Sequence, residues 1–550
     1  MKVLSGPVLS LVLLGISCGA GVDLVLDYEG IPEPDRTFLA LALTDQKLRS
    51  LGIRRVPEIT AGTPSILRAE YLSFWTSWED SGDPDSSQPG RPLDFPSGSV
   101  ETFIPLSRTC MVPRAEIGEE KTGLTLDEAY GAGLVPLAEL APPYLALKVD
   151  GMDVEDPAYP LVLLGGLKLA YVSENGQDEK ELARIGKKYE ALERLAAEFP
   201  RGSLASPWDA RPRLYRIAAG GDAVLSRGVP ALLFTGYDGT AGDDGVAGYR
   251  KGEIYYPRPG SAEEVLGGTA SLVQGADLSL LNLEGVITSR GEKTGKTYTF
   301  RFDPRSASFL RAAGFDAVLL ANNHAFDFGL TGFLDSLEYL EAAGVAILGA
   351  GRNQAAAAAP FLAGYPGLAV QVFGLASFKA ERNGWDGLSA AADENRAGLL
   401  HAGRGGAELI QGRLRKDRGI LDIVFFHGGE EYTDRPDGPT RALYTELIMA
   451  GADLVIGTHP HVEQGFEWVL GKPVLWSLGD YIFDEMDDTP GGNMGILVVL
   501  SYAGDRLLYL EPHPLFMRGP RTEIAPKKQL ERFYRLSQEL AERVEGYVQL

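Results

Sequence analysis

GADLVIGTHPHVEQGFEWVLGKPVLWSLGDYIFD, residues Gly451–Asp484, is the stretch whose reading decides the fold. Its apolar run Asp453–Ile456 stops in Gly457-Thr458-His459-Pro460-His461. A short apolar run ending in a polar, metal-capable cluster is the pattern of a buried strand whose carboxyl end carries chemistry, because open α/β sheets collect ligands at that edge. Four runs upstream repeat it. Arg216–Ala219 leads into Gly221-Asp222, Leu278–Leu281 into Asn282-Leu283-Glu284, Phe315–Leu320 into Asn322-Asn323-His324, and Leu421–Phe426 into His427-Gly428-Gly429.

Five such strand ends would gather Asp, Glu, Asn, His and His-x-His at one rim. The donors are oxygen and imidazole without sulfur, which suits one or two divalent ions of Mn, Fe or Zn in a hydrolytic or group-transfer centre better than Ca or Mg. The chain has six histidines, and His324, His427, His459 and His461 all fall at these ends; His401 and His513 do not. One such histidine would more readily be a hydrogen-bonded structural group. Four at equivalent places are poorly explained by chance.

Helical patterns separate the runs. Phe333, Leu334, Leu337 and Leu340 predict a helix from near Thr331 to Gly344; another follows Pro439 and ends at Gly451. Leu530, Phe533, Leu536, Leu540 and Val544 predict a terminal helix over 526–547. Ala355–Phe378 is uncharged, but Pro360, Gly364, Pro366 and Gly367 punctuate it, so it reads as two buried strands and a turn rather than a membrane span.

The 550 residues exceed one ordinary core, and the main boundary is expected in Arg201–Arg213. Residues 22–206 then form an N-terminal α/β domain and 214–517 the main one. Leu182, Ile185, Tyr189, Leu192, Leu195 and Phe199 predict a long helix ending before Pro200. Ser81–Ser99 and the Gly-rich Gly236–Gly260 read as loops; Asp238, Asp243 and Asp244 in the latter fit no EF-hand spacing.

At a formal net charge of −23 the chain is a poor nucleic-acid binder, and an anionic substrate would need positive charge supplied locally. Lys2, the apolar Val8–Ile16, Ser17 and Cys18 resemble a lipoprotein signal peptide over residues 1–17, with Cys18 as the lipidated residue. A bacterial cell-envelope protein anchored to the membrane outside the cytoplasm is therefore expected; simple cleavage and secretion is the alternative. With Cys18 lipidated, the second cysteine, Cys110, has no disulfide partner.

The segments GGDAVLSRGV, LLNLEGVIT, GFDAVLLANNHAFDFG, DIVFFHGGEEY and Gly451–Asp484, in this order, resemble the motifs of the CapA family of capsule and poly-gamma-glutamate synthesis proteins over roughly Leu214–Met517. The resemblance implies a fold similar to calcineurin-like metallophosphatases, a four-layer α-β-β-α sandwich with a dinuclear centre. It implies Asp222, Glu284, Asn323, His427, His459 and His461 as metal ligands, with Glu284 bridging. It further implies His324 as general acid, Asp327 as its orienting partner, and Asn322, Arg227 and Arg441 as groups near the substrate. Capsule or polyglutamate synthesis and export components would be the partners. The sequence departs from the pattern at Val224, where a ligand histidine is usual, at Gly428, which replaces a bulky aromatic and is expected to open the pocket, and at Asp480, where asparagine is usual.

GLVPLAELAPPYLALKVDGMDVEDPAYPLVL in the N-terminal half is similar to a segment of longer CapA-like proteins whose extra domain looks like part of a solute-binding protein. Three functions follow as expectations: metal-dependent hydrolysis or transfer in capsule or polyglutamate metabolism, a metal-dependent phosphomonoesterase or phosphodiesterase, or a non-catalytic scaffold of an export complex.

Overall fold

The computed structural model describes residues 213–234, 261–365, 368–378, 386–414, 420–484 and 492–548, and, in the N-terminal half, 10–14, 22–24, 53–55, 65–76, 101–116, 123–125, 128–129, 134–137, 140–142, 144–156, 159 and 162–173. Cys18, Ser81–Ser99, Gly236–Gly260 and the helix expected through Leu182–Phe199 lie outside them. The chain divides into two compact units, the second made chiefly of Leu214–Leu550.

In the first unit the described elements include an antiparallel sheet in which Val162–Ser173 lies between Ser65–Thr76 and Glu101–Glu116. Lys148–Val149 turns back through Asp150 and Gly151, both at positive φ, to bring Met152 against Val149.

The second unit is α/β, with two mixed sheets. Its strands are β1 (Tyr215–Ala223), β2 (Leu278–Leu283), β3 (Ala317–Leu319), β4 (Ala346–Leu348), β5 (Phe361–Tyr365), β6 (Leu368–Ser377), β7 (Leu421–Gly428), β8 (Leu454–Thr458), β9 (Glu463–Val469), β10 (Lys472–Leu478), β11 (Asp480–Ile482), β12 (Met494–Ala503), β13 (Arg506–Arg518) and β14 (Arg521–Ile524). The eight-stranded sheet runs β4-β3-β2-β1-β12-β13-β14, with β11 also beside β1; the six-stranded sheet runs β5-β6-β7-β8-β10-β9. Neighbours among β1–β4 are parallel, as are β6, β7, β8 and β10, so each block delivers its carboxyl ends to one edge. β5 and β6 form an antiparallel pair within the uncharged segment expected to hold two strands.

Strand periodicity divides the core. Ile423, Phe425, Ile456 and Leu475 share one buried cluster with Ile217, Leu280 and Val318 of the other sheet. Their chain neighbours Val424, Phe426, Val455, Val474 and Trp476 belong to a second cluster with helix residues. Successive side chains on a strand point to opposite faces, so β7 is buried on both and carries the unbroken apolar run Ile423–Phe426. Full burial of a side chain such as Phe425 or Phe426 contributes roughly 2–3 kcal/mol.

Helices seal these faces. α1 (Gly329–Ala343) ends at Gly344, whose φ of 73° lets its N–H cap the last turn. α2 (Gly438–Ala450) starts where Asp437 Oδ1 accepts from Thr440 N at 2.7 Å and stops at Gly451. It buries Tyr444, Leu447 and Ile448; the Tyr444 and Trp476 rings stack with centroids 5.0 Å apart. α3 (Lys527–Val548) seats Phe533, Leu536 and Leu540 in buried positions, and Ser537 Oγ accepts from Phe466 N of β9 at 3.0 Å. Among the described residues, no helix is long and apolar enough to cross a membrane.

Candidate metal centre

The carboxyl ends of β1, β2, β7 and β8 and the segment after β3 meet in one buried cluster. Asp222, Glu284 and His427 offer donor atoms within 4.8 Å of one another; so do Glu284, His459 and His461, and so do Asp222, His461 and Asp480. Asn323 joins them through Oδ1, 3.0 Å from His427 Nε2. All six side chains that the sequence proposes as ligands therefore converge. The histidine pair is held by unusual backbone: His459 has φ 99° and His461 φ 57°, in the left-handed region that costs a non-glycine residue about 1–3 kcal/mol. Pro460 between them accepts from Tyr432 N at 2.8 Å, and Tyr432 stacks on His461 at a ring distance of 5.7 Å.

A ring of hydrogen bonds orients the donors. Asn282 Nδ2 donates to Asp222 Oδ1 at 2.7 Å and lies 3.1 Å from His427 Nδ1. Thr458 Oγ1 is also 3.1 Å from His427 Nδ1, which leaves His427 Nε2 facing Glu284 Oε1 at 4.0 Å. His459 N donates to Asp222 Oδ2 at 3.1 Å, and His461 Nδ1 is 2.8 Å from Asp480 Oδ1. Beside them stands His324, with Nδ1 2.7 Å from Asp327 Oδ2 and Nε2 3.8 Å from Glu284 Oε1. The buried Lys296 donates to Asp327 Oδ1 at 3.1 Å and to the Asn323 carbonyl at 2.8 Å. Phe300 packs on the His324 ring at 4.5 Å and donates its N–H to Asp327 Oδ2 at 2.7 Å.

The fit to a cation rests on atoms that nothing among the described residues satisfies. Both carboxylate oxygens of Glu284, His459 Nδ1 and Asp480 Oδ2 are buried without a hydrogen-bond partner. Orphaned buried polar atoms of this kind are rare and costly. Burial raises Glu284 well above the usual carboxylate range, with Asp222 adding to it, and burial pushes Asp480 up to about 7. Burial also drives His427 far down and His459 down to about 3, so both imidazoles are neutral. Burial opposes charge on His461 too, yet Asp480 and Glu284 hold its pKa well above the ordinary value. Neutral imidazoles, an amide oxygen and buried carboxylates make a donor set that a divalent cation satisfies.

Three expectations need correcting. Arg441 pairs with Glu467 at 2.9 Å and lies 4.6 Å over the Trp476 ring; these partners are outside the cluster, because α2 turns that face toward the outer side of β9 and β10. Asn322 is fully buried and spends both amide hydrogens on Asn282 Oδ1 and the Leu283 carbonyl, while its own oxygen accepts from His324 N. It organises the strand ends. Gly428 opens no pocket: a Cβ there would lie 2.0 Å from Ser377 O, so the glycine serves the close packing of β6 on β7. Arg227 sits at the rim, donating to the Asp484 carbonyl, with its guanidinium 5.5 Å from both the Phe300 and Phe483 rings. Val224 is buried in the apolar core and contributes no donor.

Sequence reasoning missed Lys296 and Tyr432, placed Asn282 and Thr458 at the strand ends without a role, and did not see the part played by Asp480. Asp480 stood in view as a departure from a motif. Lys296 lies in an irregular stretch with no periodicity to mark it.

Residues 216–485 match the family model described as "Bacterial capsule synthesis protein PGA_cap". A protein named "Probable polyglutamine synthesis accessory protein" from Mycobacterium tuberculosis is 30% identical over 298 residues, covering 50% of this chain and 75% of that protein. The "Capsule biosynthesis protein CapA" of Bacillus anthracis is 30% identical over 199 residues, 35% of this chain and 46% of that one, and the "PGA biosynthesis protein CapA" of Bacillus subtilis is 28% identical over 209 residues, 37% and 52%. Among solved structures, a 5'-nucleotidase from Candida albicans aligns with 12% identity and a TM-score of 0.26 over 49% of this chain and 50% of that one. With its paired sheets and strand-end cluster on the matched segment, the chain belongs to the bacterial capsule synthesis family that includes the CapA proteins.

Proposed function

We propose that the chain is a metal-dependent, CapA-type component of capsule or poly-gamma-glutamate synthesis, acting by hydrolysis or group transfer outside the cytoplasm. One observation carries the proposal: the Glu284 carboxylate, buried without a hydrogen bond, faces the Nε2 atoms of His324, His427 and His461 at 3.8–4.0 Å. Asp222, Glu284, Asn323, His427, His459 and His461 would hold one or two ions of Mn, Fe or Zn. Such an ion supplies Lewis acidity toward a carbonyl or phosphoryl oxygen. His324 carries the proton for the leaving group on Nε2, since Nδ1 is engaged by Asp327. Lys296 holds Asp327 in place, and Phe300 shields the pair from water. Arg227 at the rim meets an anionic part of the substrate.

Two sheets with helices outside them support a four-layer, metallophosphatase-like arrangement, and the Cys18 context supports a lipid anchor on the cell envelope. Elemental analysis of purified protein tests the centre: Mn, Fe or Zn is expected in the wild type and absent from His459→Ala. Gamma-glutamyl amides screened beside phosphate esters test the chemistry. A wild type that is metal-free and fully active in capsule synthesis would overturn the reading.

A further inference from the structure

Asp480 is not among the ligands that the strand-end pattern names, yet it is built into the same cluster. It opens β11, which pairs in parallel with β1 so that Asp480 and Asp222 are direct cross-strand partners. Like charges directly opposite one another destabilise a sheet, and here both carboxylates are fully buried. The backbone enforces the approach. Asp222 N donates to Gly479 O at 3.0 Å, a Cβ on Gly221 would stand 1.9 Å from Gly479 O, and a Cβ on Gly495 would stand 1.9 Å from Asp480 O. Gly479 itself takes φ 65° to make the turn into β11. The chain thus spends three glycines on pressing two aspartates together. Asp480 Oδ1 is 2.8 Å from His461 Nδ1, and Oδ2 is buried with no partner.

We propose that Asp480 is a direct ligand of a second divalent cation, held jointly with Asp222 and His461. The three offer donor atoms within 4.8 Å of one another, on the Nδ1 side of the His461 ring, while Glu284 faces its Nε2 side. The competing role, orienting His461 through a hydrogen bond to Nδ1, uses Oδ1 and leaves Oδ2 unexplained. This inference rests on the metal reading above, and its test separates the two.

Chelator-stripped full-length protein is titrated with Mn²⁺, with bound metal counted after equilibrium dialysis and free Mn²⁺ followed by electron paramagnetic resonance. Asp480→Asn keeps an oxygen able to accept from His461 and removes the anionic ligand. The wild type should take up two Mn²⁺ per chain. Asp480→Asn should retain one tightly and bind the other more than about 100-fold more weakly, beyond the 10–100-fold span typical of groups that only support a ligand. Asp480→Ser, which removes the carboxylate without adding volume, is read the same way if the asparagine variant does not fold. Two sites in the variant with any smaller loss, or a wild type that stops at one Mn²⁺ and is unchanged by the substitution, overturns the assignment of Asp480 and leaves the metal centre standing. A wild type that binds no Mn²⁺, Fe²⁺ or Zn²⁺ overturns both.

Discussion

Replacing Gly221 by alanine should cost the protein more than any surface change and should damage the cluster without touching a donor atom. The added Cβ would lie 1.9 Å from Gly479 O, about 1.5 Å inside the 3.4 Å at which ordinary contact begins. The atom met is backbone, so no rotamer change relieves it. The strands β1 and β11 must part, and the 3.0 Å bond from Asp222 N to Gly479 O goes with them. Forced overpacking costs about 1–3 kcal/mol, and stranding a buried backbone pair about 1–3 more, so a loss of about 4 kcal/mol is expected. Because Asp222 and Asp480 move apart, cation affinity should fall as well. Gly412→Ala is the control: it lies in the helix Gly406–Leu414 with nothing within 4 Å of the new Cβ, so it should stabilise by about 0.5–1 kcal/mol. Urea unfolding of chelator-treated protein, followed by the fluorescence of Trp468 and Trp476 in this unit, gives the stabilities, and Mn²⁺ titration the affinities. A Gly221→Ala protein within about 1 kcal/mol of wild type and with unaltered affinity would refute the reasoning.

Tyr444 has a buried hydroxyl without a partner, so Tyr444→Phe should leave stability unchanged or raise it by up to about 1 kcal/mol in the same unfolding assay. Asp327→Asn removes the carboxylate paired with the buried Lys296 and should cost about 3–5 kcal/mol; adding Lys296→Met should recover most of that stability without restoring the proposed activity. His459 has a folded pKa of about 3 against 6.5 unfolded, a depressed value, so its contribution is complete above pH 6.5 and is lost as pH falls. Between pH 6.5 and 5, metal-free wild type should therefore lose about 2 kcal/mol relative to His459→Gln, read as the change in the stability difference between the two proteins at the two pH values.

The strand ends were legible because each signal is local: an apolar run, then a donor, within about ten residues. The same holds for α1 and α2, whose glycine stops and Pro439 are short-range features. Side-chain engagement was not legible. Asn322 and Asn323 are neighbours of identical chemistry, and only the position of Asn282, forty residues earlier, makes one an organiser and leaves the other's oxygen toward His427. Arg441 lies on a helix adjoining the site's sheet, but which face it takes depends on Glu467 and Trp476. Gly428 looked like a lost aromatic because residue volume is visible in a sequence and the neighbouring strand's carbonyl is not. Lys296 pairs with Asp327 across thirty-one positions, with no periodic pattern to announce it.

The left-handed backbone at His459 and His461 has a consequence for timing. An isolated chain segment would not hold two consecutive imidazoles across a proline in that geometry; only the finished sheets impose it. An ion at the proposed centre would therefore enter a site that exists only in the folded chain. Divalent metals follow a general affinity order that a protein overrides mainly by geometry and supply. An ion held by the proposed centre is accordingly expected to record which metal was abundant in the compartment where the chain completed its folding.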